Sequence, residues 1–577
     1  MYHATVWWNR LIVLIIRDAG LAWYDTTPND LSAMSGDLNS GRRLIDGRWL
    51  RWSDERAADA YARGLWIRDT LADALQTAAR QTPQRALLID GNRRIDCQTL
   101  HAQATTLAQA MLARAPTGSV VSFILPNWHE AAVIYLAATL SGMVVNPILP
   151  SLRDRELLFI LKDVQTRLIF VPSTFRQHDY AAMMSRVTGQ LASAPKVIVL
   201  RGDAGGHTPY GSLFERPDPP RQLPSLNADA LRMVLYTSGT TGRPKGVLHS
   251  HNSMNALICQ LRDHWLIERG DKFLVPSPIA HIGGSIYAFE CPLLLNTTAV
   301  LMDRWDADDA VRLVDAEGCT HMAGATPFLE QMLGAARRAA TRLPSLKLFV
   351  CGGASVPPSL IRAAADYFQR AAVTRVYGST EVPVTTVGVM RREDVAHAAD
   401  TDGCAGLAEI KLIGHSAAPA DEGEIHARAP QMLVGYFHPE DEADAFDSEG
   451  YFRTGDLARW VDGAYLVVTG RAKDIIIRNG ENISPKEVED ILIGHPDIAE
   501  IAIVGLPDPR TGERACAVIV PKKPPGPQVA SLRAFLDAQG VATFKVPEQV
   551  VIWDALPKND AGKVLKHQIR AALAQKG

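Results

Sequence analysis

From about residue 68 to residue 400, the sequence alternates between helix-like runs and short, strongly apolar runs. Apolar residues recur at helical spacing in IRDTLADALQTAARQ and HEAAVIYLAATLSG, and the intervening SVVSFILPN reads as a buried strand. Alternation of this kind is typical of stacked α/β layers around largely parallel sheets. The sequence therefore predicts the α/β fold class.

Beyond residue 400, the sequence changes to shorter strands and tight turns, and after Asp474 it shows a compact α+β pattern. We predict a large N-terminal domain of layered α/β sheets with a β-rich subdomain, followed by a small C-terminal α+β domain. The predicted boundaries are 1–67 for an N-terminal extension, 68–471 for the large domain and 472–577 for the small domain. Within the extension, residues 1–33 are either a peripheral flap or a start-site error, since Met34 opens a more ordinary polar N-terminus.

Length, net charge and cysteine content limit the classes of function that this chain can have. A chain of 577 residues is too long for one core, and its net charge of -3 gives no reason to expect nucleic acid as a partner. The apolar run Leu11 to Ile16 is too short to span a bilayer, so no integral membrane segment is predicted. Seven scattered cysteines without a CxxC pair indicate reduced thiols in a cytoplasmic setting, and no structural metal.

The stretch YTSGTTGRPKGVLHSH, from Tyr236 to His251, follows an apolar run that reads as a buried strand. Its glycines let backbone N–H groups turn toward an anion, its hydroxyls donate further hydrogen bonds, and Arg243 and Lys245 add positive charge. Open α/β sheets bind ligands at the carboxyl ends of their strands. The stretch therefore predicts a phosphate-binding loop.

This loop differs from the common P-loop, because Pro244 precedes Lys245 and Gly246 follows it. The alternative is a mobile surface loop rich in glycine and threonine, which the density of donors makes the weaker interpretation. The nearby His249 and His251 have no cysteine or carboxylate beside them, so we expect polar loop residues rather than metal ligands.

Together with four later motifs, this stretch resembles the adenylate-forming superfamily of acyl-CoA synthetases, peptide-synthetase adenylation domains and luciferases. The motifs occur in family order, and the resemblance covers residues from about 68 to 570. They are YTSGTTGRPKG, YGSTE, YFRTGD, GRAKDIIIRNGENISP and LPKNDAGKVLK.

The resemblance implies a reaction in which a carboxylic acid is joined to AMP, pyrophosphate leaves, and a thiol then displaces AMP. It implies ATP, Mg²⁺ and coenzyme A as co-substrates and cofactor, a mobile small domain, and a nucleotide site on the large domain. The first step brings a carboxylate against a triphosphate. The site therefore needs residues that neutralise these like charges and hold the reacting groups in line.

By this resemblance, the residues of the nucleotide site fall into four groups. Glu381, at the end of YGSTE, holds Mg²⁺, as a hard cation prefers a carboxylate oxygen. Asp456 accepts hydrogen bonds from the ribose hydroxyls, assisted by Arg471. The phosphates contact Thr237, Ser238, Gly239, Thr240, Thr241 and Lys245, and the base and its surroundings involve Gly353, Ala354, Ser355, Tyr377, Gly378, Ser379 and Thr380.

The resemblance also assigns residues to catalysis, to the hinge and to the acid. Lys563 in LPKNDAGKVLK is the catalytic lysine, Lys473 is the hinge residue where many members have aspartate, and Gly480 faces the pantetheine channel. His281 lies beside the acyl pocket, although a single histidine is more often structural. The residues expected to line the acid site are Gly283, Gly284, Ala325, Thr326 and Pro327.

These expectations favour an ATP-dependent acid–CoA ligase for a medium-chain, alicyclic or aromatic acid. The partners are then a small carboxylic acid, ATP and CoA, and a homodimer remains open. One alternative is an adenylating enzyme that loads a carrier-protein thiol or stops at acyl-AMP. The other is a non-catalytic nucleotide-binding relic, which the presence of Glu381, Asp456, Arg471 and Lys563 disfavours.

Overall fold

A computed structural model describes residues 41–215, 221–237, 243–353, 356–414, 419–478, 481–508, 510–559 and 562–574. Strands β1 to β13 are, in chain order, Arg42–Ile45, Arg48–Arg51, Ala86–Asp90, Arg93–Asp96, Val120–Phe123, Val144–Pro147, Leu168–Pro172, Thr174–Phe175, His178–Asp179, Lys196–Leu200, Thr208–Pro209, Leu231–Thr237 and Lys245–Ser250. Helices α1 to α8 are Asp54–Ala62, Leu71–Gln81, Cys97–Leu112, His129–Leu140, Asp154–Asp163, Tyr180–Thr188, Ser212–Glu215 and His251–His264.

Strands β14 to β24 are Lys272–Val275, Thr298–Leu301, His321–Gly324, Leu348–Gly352, Ala372–Val376, Thr386–Gly388, Cys404–Ala405, Glu409–Ile413, Glu422–Arg428, Phe452–Val461 and Tyr465–Arg471. Helices α9 to α14 are Ile282–Ser285, Cys291–Leu294, Ala307–Glu317, Thr326–Arg338, Pro358–Tyr367 and Val395–Asp400. A π-helical turn, Ile286–Glu290, joins α9 to α10, and a 3₁₀ turn, Pro439–Glu442, lies between β22 and β23.

Two seven-stranded sheets form the main layers of the large domain. Their strand orders are β11-β10-β7-β5-β6-β12-β13 and β18-β17-β16-β14-β15-β3-β4. Neighbouring strands run parallel except for the edge pairs β12 with β13 and β3 with β4. The prediction of largely parallel α/β layers is therefore confirmed.

Helix α4 shows why the layers hold together. Its sequence is almost continuously apolar, and residues Ala131 to Leu140 are all buried. They share one hydrophobic core with Leu88 of one sheet and Val121 of the other. A helix that is apolar on every side is stable only when it is covered on every side, as here between two sheets.

The rest of the large domain includes a β-rich subdomain, whose strands the structure shows to be antiparallel. Strands β19 to β24 form a six-stranded sheet in the order β19-β20-β24-β23-β22-β21. At the other end of the chain, the β1–β2 hairpin packs on the large domain through buried Leu50. Arg42 and Glu442, each with 7% of its side chain exposed, form an ion pair of 2.6 Å there.

The small domain has its own α+β layers. Strands β25 to β29 are Ile476–Arg478, Glu481–Ile483, Ile498–Asp508, Gly512–Pro521 and Gln549–Ile552, and helices α15 to α17 are Pro485–Leu492, Val529–Ala538 and Lys566–Ala574. Separate apolar clusters cover the two faces of its sheet. Among the described residues of the whole chain, no helix is both long enough and apolar enough to cross a membrane.

Candidate active site

The predicted phosphate loop connects two paired strands. Thr237 at the end of β12 lies opposite Lys245 at the start of β13, and β12 runs parallel to β6. The loop therefore leaves from the carboxyl-terminal edge of the sheet, where α/β proteins bind ligands. Four of the predicted phosphate contacts lie outside the described residues: Ser238, Gly239, Thr240 and Thr241.

The two cations of this loop contact a carboxylate that the sequence analysis did not single out. Arg243 donates to Asp441 Oδ1 at 2.8 Å, and Lys245 Nζ donates to the backbone oxygen of Asp441 at 3.3 Å. Lys245 also lies over the ring of Tyr436, 5.1 Å from its centroid. Tyr436 follows the apolar run Met432–Val434, Asp441 lies within the acidic run Glu440–Glu442, and nothing in their local pattern links them to a loop almost 200 residues earlier.

The YGSTE motif forms the loop after β18 and is fixed by contacts from distant segments. His249 Nε2 donates to the backbone oxygen of Thr380 at 2.8 Å, and Ser379 Oγ accepts from Val382 N at 3.1 Å. A Cβ atom at Gly378 would lie 2.6 Å from Val384 N, so a side chain there would force the loop apart.

The histidines at 249 and 251 correct one expectation. They were expected as polar loop residues, but His249 lies in β13, His251 begins α8, and both are buried. Burial lowers the pKa of His249 to about 4, so it is neutral at pH 7 and serves as a hydrogen-bond donor to Thr380.

Glu381 is half-buried at the end of the YGSTE loop. Its Oε1 atom accepts a hydrogen bond of 3.0 Å from the Tyr436 hydroxyl, and its backbone oxygen accepts from Leu433 N at 2.7 Å. An ionised carboxylate has about four acceptor sites, so this contact leaves capacity for a cation. The donor set suits Mg²⁺, which is usually held by one or two carboxylates together with substrate phosphates.

Asp456 and Arg471 lie opposite each other on β23 and β24. Arg471 Nε donates to Asp456 Oδ1 at 2.7 Å, and the Tyr377 hydroxyl donates to Asp456 Oδ2 at 2.7 Å. Burial, and then the charge of Asp456, raise the pKa of Tyr377 well above its usual value. Tyr377 thus remains a donor, and both oxygens of the predicted ribose ligand are held in place.

Lys563 follows Gly562 in a loop of the small domain, and its backbone N–H donates to Asn559 Oδ1 at 2.8 Å. Although the residue is exposed, its pKa is lowered by desolvation of the ammonium and by Arg471, while Asp456 and Glu381 act in the opposite direction. The lysine of the small domain therefore lies in the electric field of the nucleotide-site residues of the large domain.

The two other lysines of the same motif are engaged elsewhere. Lys558 pairs with Glu500 at 2.8 Å, and Lys566 pairs with Glu489 at 2.7 Å, both within the small domain. Of the three lysines, Lys563 is the one without such a pairing in the small domain among the described contacts, and the catalytic role that the resemblance assigns to it stays a prediction.

His281 immediately precedes helix α9, and its charge environment includes Lys563. Burial, and then Lys563, lower the pKa of His281 to about 4. Its Nε2 atom is buried without a hydrogen-bond partner among the described residues. Gly284 allows this tight turn, because a Cβ atom there would lie 2.1 Å from the backbone oxygen of Pro278. Gly283 lies beside it in α9.

The other residues expected at the acid and adenine sites lie at the ends of neighbouring parallel strands. Ala325 precedes helix α12, which begins with Thr326 and Pro327 just after β16. A Cβ atom on Gly562, next to Lys563, would lie 3.8 Å from Pro327 Cγ. Gly353 follows β17 with a φ of +83°, whereas Ala354 and Ser355 lie outside the described residues.

Lys473 lies in the 3₁₀ turn Ala472–Asp474, directly after β24 and before the first strand of the small domain. The next residue, Asp474, pairs with Arg570 of the C-terminal helix at 2.7 Å. Gly480 lies outside the described residues. The hinge role of Lys473 remains a prediction.

Layered parallel sheets, the carboxylates Glu381 and Asp456, and Lys563 from a second domain agree with the class of adenylate-forming enzymes. The sequence matches the AMP-binding enzyme family over residues 75–437 and the AMP-binding enzyme C-terminal domain over residues 487–563. The chain therefore belongs to the AMP-binding enzyme family.

Curated relatives and solved structures agree. The chain is 34% identical to the medium-chain fatty-acid–CoA ligase of Escherichia coli K12, over 90% of this chain and 93% of that protein. It is 28% identical to the 2,3-dihydroxybenzoate-AMP ligase of Bacillus subtilis, over 91% and 97%. The ATP-bound MatB structure from Rhodopseudomonas palustris has a TM-score of 0.77 at 26% identity, with 88% and 99% covered.

Family membership together with these relatives makes the chain an AMP-forming acyl-CoA synthetase, an acid–thiol ligase. ATP use follows from the AMP-binding family and from the ATP-bound MatB neighbour.

Proposed function

We propose that this protein is an ATP-dependent acid–CoA ligase that acts through an acyl-adenylate. In the first step, a carboxylate oxygen attacks the α-phosphorus of ATP, and the bond to the β-phosphate oxygen breaks to release pyrophosphate. In the second step, the thiolate of CoA attacks the acyl carbon, and AMP leaves. The sum of the steps converts acid, ATP and CoA into acyl-CoA, AMP and pyrophosphate.

One observation carries the proposal. The loop that carries Lys563 of the small domain lies against the large domain, since a Cβ atom on the neighbouring Gly562 would lie 3.8 Å from Pro327 Cγ. Besides burial, the charges of Arg471, Asp456 and Glu381 act on the Lys563 ammonium and its pKa. A cation at this position can contact the acid carboxylate and the α-phosphate together, and so stabilise the charge that develops as two anions meet. This arrangement supports the first step.

The remaining residues of the nucleotide site have separate roles in this proposal. Asp456, held by Arg471 and Tyr377, accepts from the ribose hydroxyls, and Lys245 contributes positive charge near the phosphates. Glu381 would hold Mg²⁺, which when bound neutralises phosphate charge and favours departure of pyrophosphate. Such fixed partners cost no reorganisation when the nucleotide reacts.

At the acid, His281 is neutral at pH 7, and its buried Nε2 atom can form a hydrogen bond with the substrate. A neutral imidazole does not add a second cation beside Lys563. In the second step, the small domain would rotate about Lys473, removing Lys563 and bringing the segment around Gly480 to the pantetheine channel.

We propose a medium-chain, alicyclic or aromatic acid as the substrate. In support, the relatives include a medium-chain fatty-acid–CoA ligase, an indoleacetate–CoA ligase and a feruloyl-CoA synthase. A panel of cyclohexanecarboxylate, benzoate, octanoate and palmitate tests this assignment. We expect palmitate to have the lowest kcat/KM, and the highest value for palmitate would contradict the assignment.

The second candidate is an enzyme that stops at the adenylate or loads a carrier-protein thiol, and the 2,3-dihydroxybenzoate-AMP ligase among the relatives favours keeping it. Purified protein is given ATP, Mg²⁺, acid and CoA, and pyrophosphate and acyl-CoA are measured separately. We expect both products. Pyrophosphate release without thioester would replace the ligase assignment with this second candidate.

A further inference from the structure

An extended segment, Val434 to Phe437, lies directly beside the strand that follows the phosphate loop. Val434 N donates to Leu248 O at 2.9 Å, Leu248 N donates to Gly435 O at 3.0 Å, and Phe437 N donates to Gly246 O at 2.7 Å. These backbone hydrogen bonds fix the position of Tyr436 relative to β13, which begins with Lys245.

Tyr436 lies between two residues, Lys245 and Glu381, that the proposed function assigns to the nucleotide and its Mg²⁺. The Lys245 ammonium is 5.1 Å from its ring centroid, and its hydroxyl is 3.0 Å from Glu381 Oε1. The side chain is buried, with only 4% of the residue exposed, and its backbone N–H donates to Glu442 Oε1 at 2.8 Å. Because an ionised carboxylate can only accept hydrogen bonds, the Tyr436 hydroxyl is the donor to Glu381.

We propose that Tyr436 is a positioning residue that orients the Glu381 carboxylate for Mg²⁺ bound to ATP and couples it to Lys245 of the phosphate loop. This inference rests on the proposed function, in which Glu381 holds Mg²⁺. Tyr436 touches neither reacting atom, and it acts through the two residues that it contacts.

The chemistry of the contact explains the choice of tyrosine. A neutral hydroxyl can fix one carboxylate oxygen without cancelling the negative charge that attracts the cation, which an arginine or lysine would do. Tyr436 engages Oε1 alone, so the acceptor capacity of Oε2 remains for the cation. The backbone of Glu381 is separately fixed by Leu433, so the hydroxyl determines the side-chain orientation rather than the loop.

The aromatic ring of Tyr436 contacts the other residue of the proposed coupling, Lys245. An ammonium within about 6 Å of an aromatic face is attracted by the ring quadrupole. Lys245 is therefore held by Tyr436 and by Asp441 before any phosphate binds. Lys245 of the phosphate loop and the Glu381 carboxylate therefore contact the same buried side chain, that of Tyr436.

The test replaces Tyr436 by phenylalanine, which keeps the ring and removes the hydroxyl. Mn²⁺ serves as the probe, and its binding to the enzyme with an α,β-methylene analogue of ATP is measured by electron paramagnetic resonance. We expect the dissociation constant of Mn²⁺ to rise roughly 3- to 10-fold, as for loss of one hydrogen bond to a charged group. CoA attack on supplied acyl-adenylate should be unchanged.

Tyr451→Phe is the matched control. Its hydroxyl donates to Glu409 Oε2 at 2.9 Å, so the same tyrosine–carboxylate contact is lost at a surface site. We expect this variant to bind Mn²⁺ as the native protein does. Equal weakening in both variants would mean a general loss of stability and would overturn the positioning role.

Glu381→Gln separates failure of this inference from failure of the proposed function. If Glu381→Gln leaves Mn²⁺ binding unchanged, the magnesium role of Glu381 is wrong, and the inference falls with it. If Glu381→Gln weakens binding but Tyr436→Phe does not, only the inference is wrong. In the double variant, Tyr436→Phe should add nothing to the effect of Glu381→Gln, because it acts through that carboxylate.

Discussion

The residues that the proposed function assigns to the nucleotide and those that it assigns to the acid, here called the nucleotide side and the acid side, differ in how they are held. On the nucleotide side, both oxygens of Asp456 are engaged by Arg471 and Tyr377, and Glu381 accepts from Tyr436. On the acid side, the Nε2 atom of His281 has no hydrogen-bond partner among the described residues. An invariant ligand such as ATP suits fixed donors and acceptors, whereas an acid site can change its substrate when only small and apolar residues change.

In the proposed function, Lys563 contacts both the acid carboxylate and the α-phosphate. Its replacement should therefore lower activity more than any other change. We expect Lys563→Ala to lower adenylate formation by roughly 10² or more, in line with loss of one preorganised electrostatic group. CoA attack on supplied acyl-adenylate should be nearly unchanged. The two half-reactions are measured separately by pyrophosphate release and by thioester formation.

Lys566→Ala is the control for this prediction, because Lys566 pairs with Glu489 inside the small domain. Normal adenylation by Lys563→Ala would remove Lys563 from the site. Equal loss in both steps would refute a mechanism in which the small domain turns the lysine away.

The next largest effect is expected on the nucleotide side. Asp456→Asn keeps the shape of the side chain but removes the charge that pairs with Arg471 and leaves one acceptor oxygen in place of two. We expect KM for ATP to rise about 10-fold, the cost of a charged hydrogen bond, with KM for the acid unchanged.

Steady-state kinetics with each substrate varied in turn measure this separation. Asp462→Asn provides the control, since Asp462 lies in the turn between the same two strands and contacts only surface His397 in the described structure. An equal rise in KM for the acid would contradict the assignment of Asp456 to the nucleotide side alone.

A smaller effect is expected at the boundary between the domains. Proline at Lys473 fixes φ and restricts the preceding residue, so it should slow thioester formation several-fold while affecting adenylate formation less. Lys473→Ala removes the side chain but leaves the backbone free, and it should behave nearly as the native enzyme. Rapid-quench measurement of each half-reaction checks the prediction, and equal losses in both steps would argue against a hinge at this residue.

The smallest effect is expected from His281 on the acid side. Because its folded pKa is about 4 against an ordinary 6.5, the folded state binds fewer protons than the unfolded state between these values. The contribution of this residue to stability is therefore fully present above pH 6.5 and is lost as the pH falls toward 4.

We expect His281→Gln to unfold with a weaker pH dependence than the native protein, by on the order of 1 kcal/mol between pH 7 and pH 5. Chemical denaturation at the two pH values measures the difference, with exposed His567 replaced by glutamine as the control. Replacement of His281 should also raise KM for the acid about threefold without changing KM for ATP, as for one neutral hydrogen bond. If the replacement changed KM for ATP and left KM for the acid unchanged, His281 would belong to the nucleotide side.

The histidines at 249 and 251 show where sequence reasoning failed. Two polar residues next to a glycine-rich motif were expected in a loop, yet both are buried, and His249 supports the YGSTE loop through Thr380. The role of His249 depends on a segment more than 100 residues later in the chain, and no local pattern predicts such a contact.

The sequence by itself determined the elements and the family. Periodicity defines helices such as Leu71–Gln81 and strands such as Val120–Phe123, because burial of one face or of a whole strand is a local property of side-chain spacing. The ordered motifs identified Lys563, Asp456 and Glu381 as candidates, because each motif carries its chemistry in a few adjacent residues.

Only the tertiary structure decided which of these residues have partners. Tyr436 contacts Glu381, and Asp441 contacts Lys245, although 55 and 196 residues separate the pairs in the chain. The packing of β13 against the segment before the 3₁₀ turn brings them together, and such packing depends on the whole core. Orientation of a carboxylate is set by these distant neighbours, and therefore it could not be predicted from the motif that contains the carboxylate.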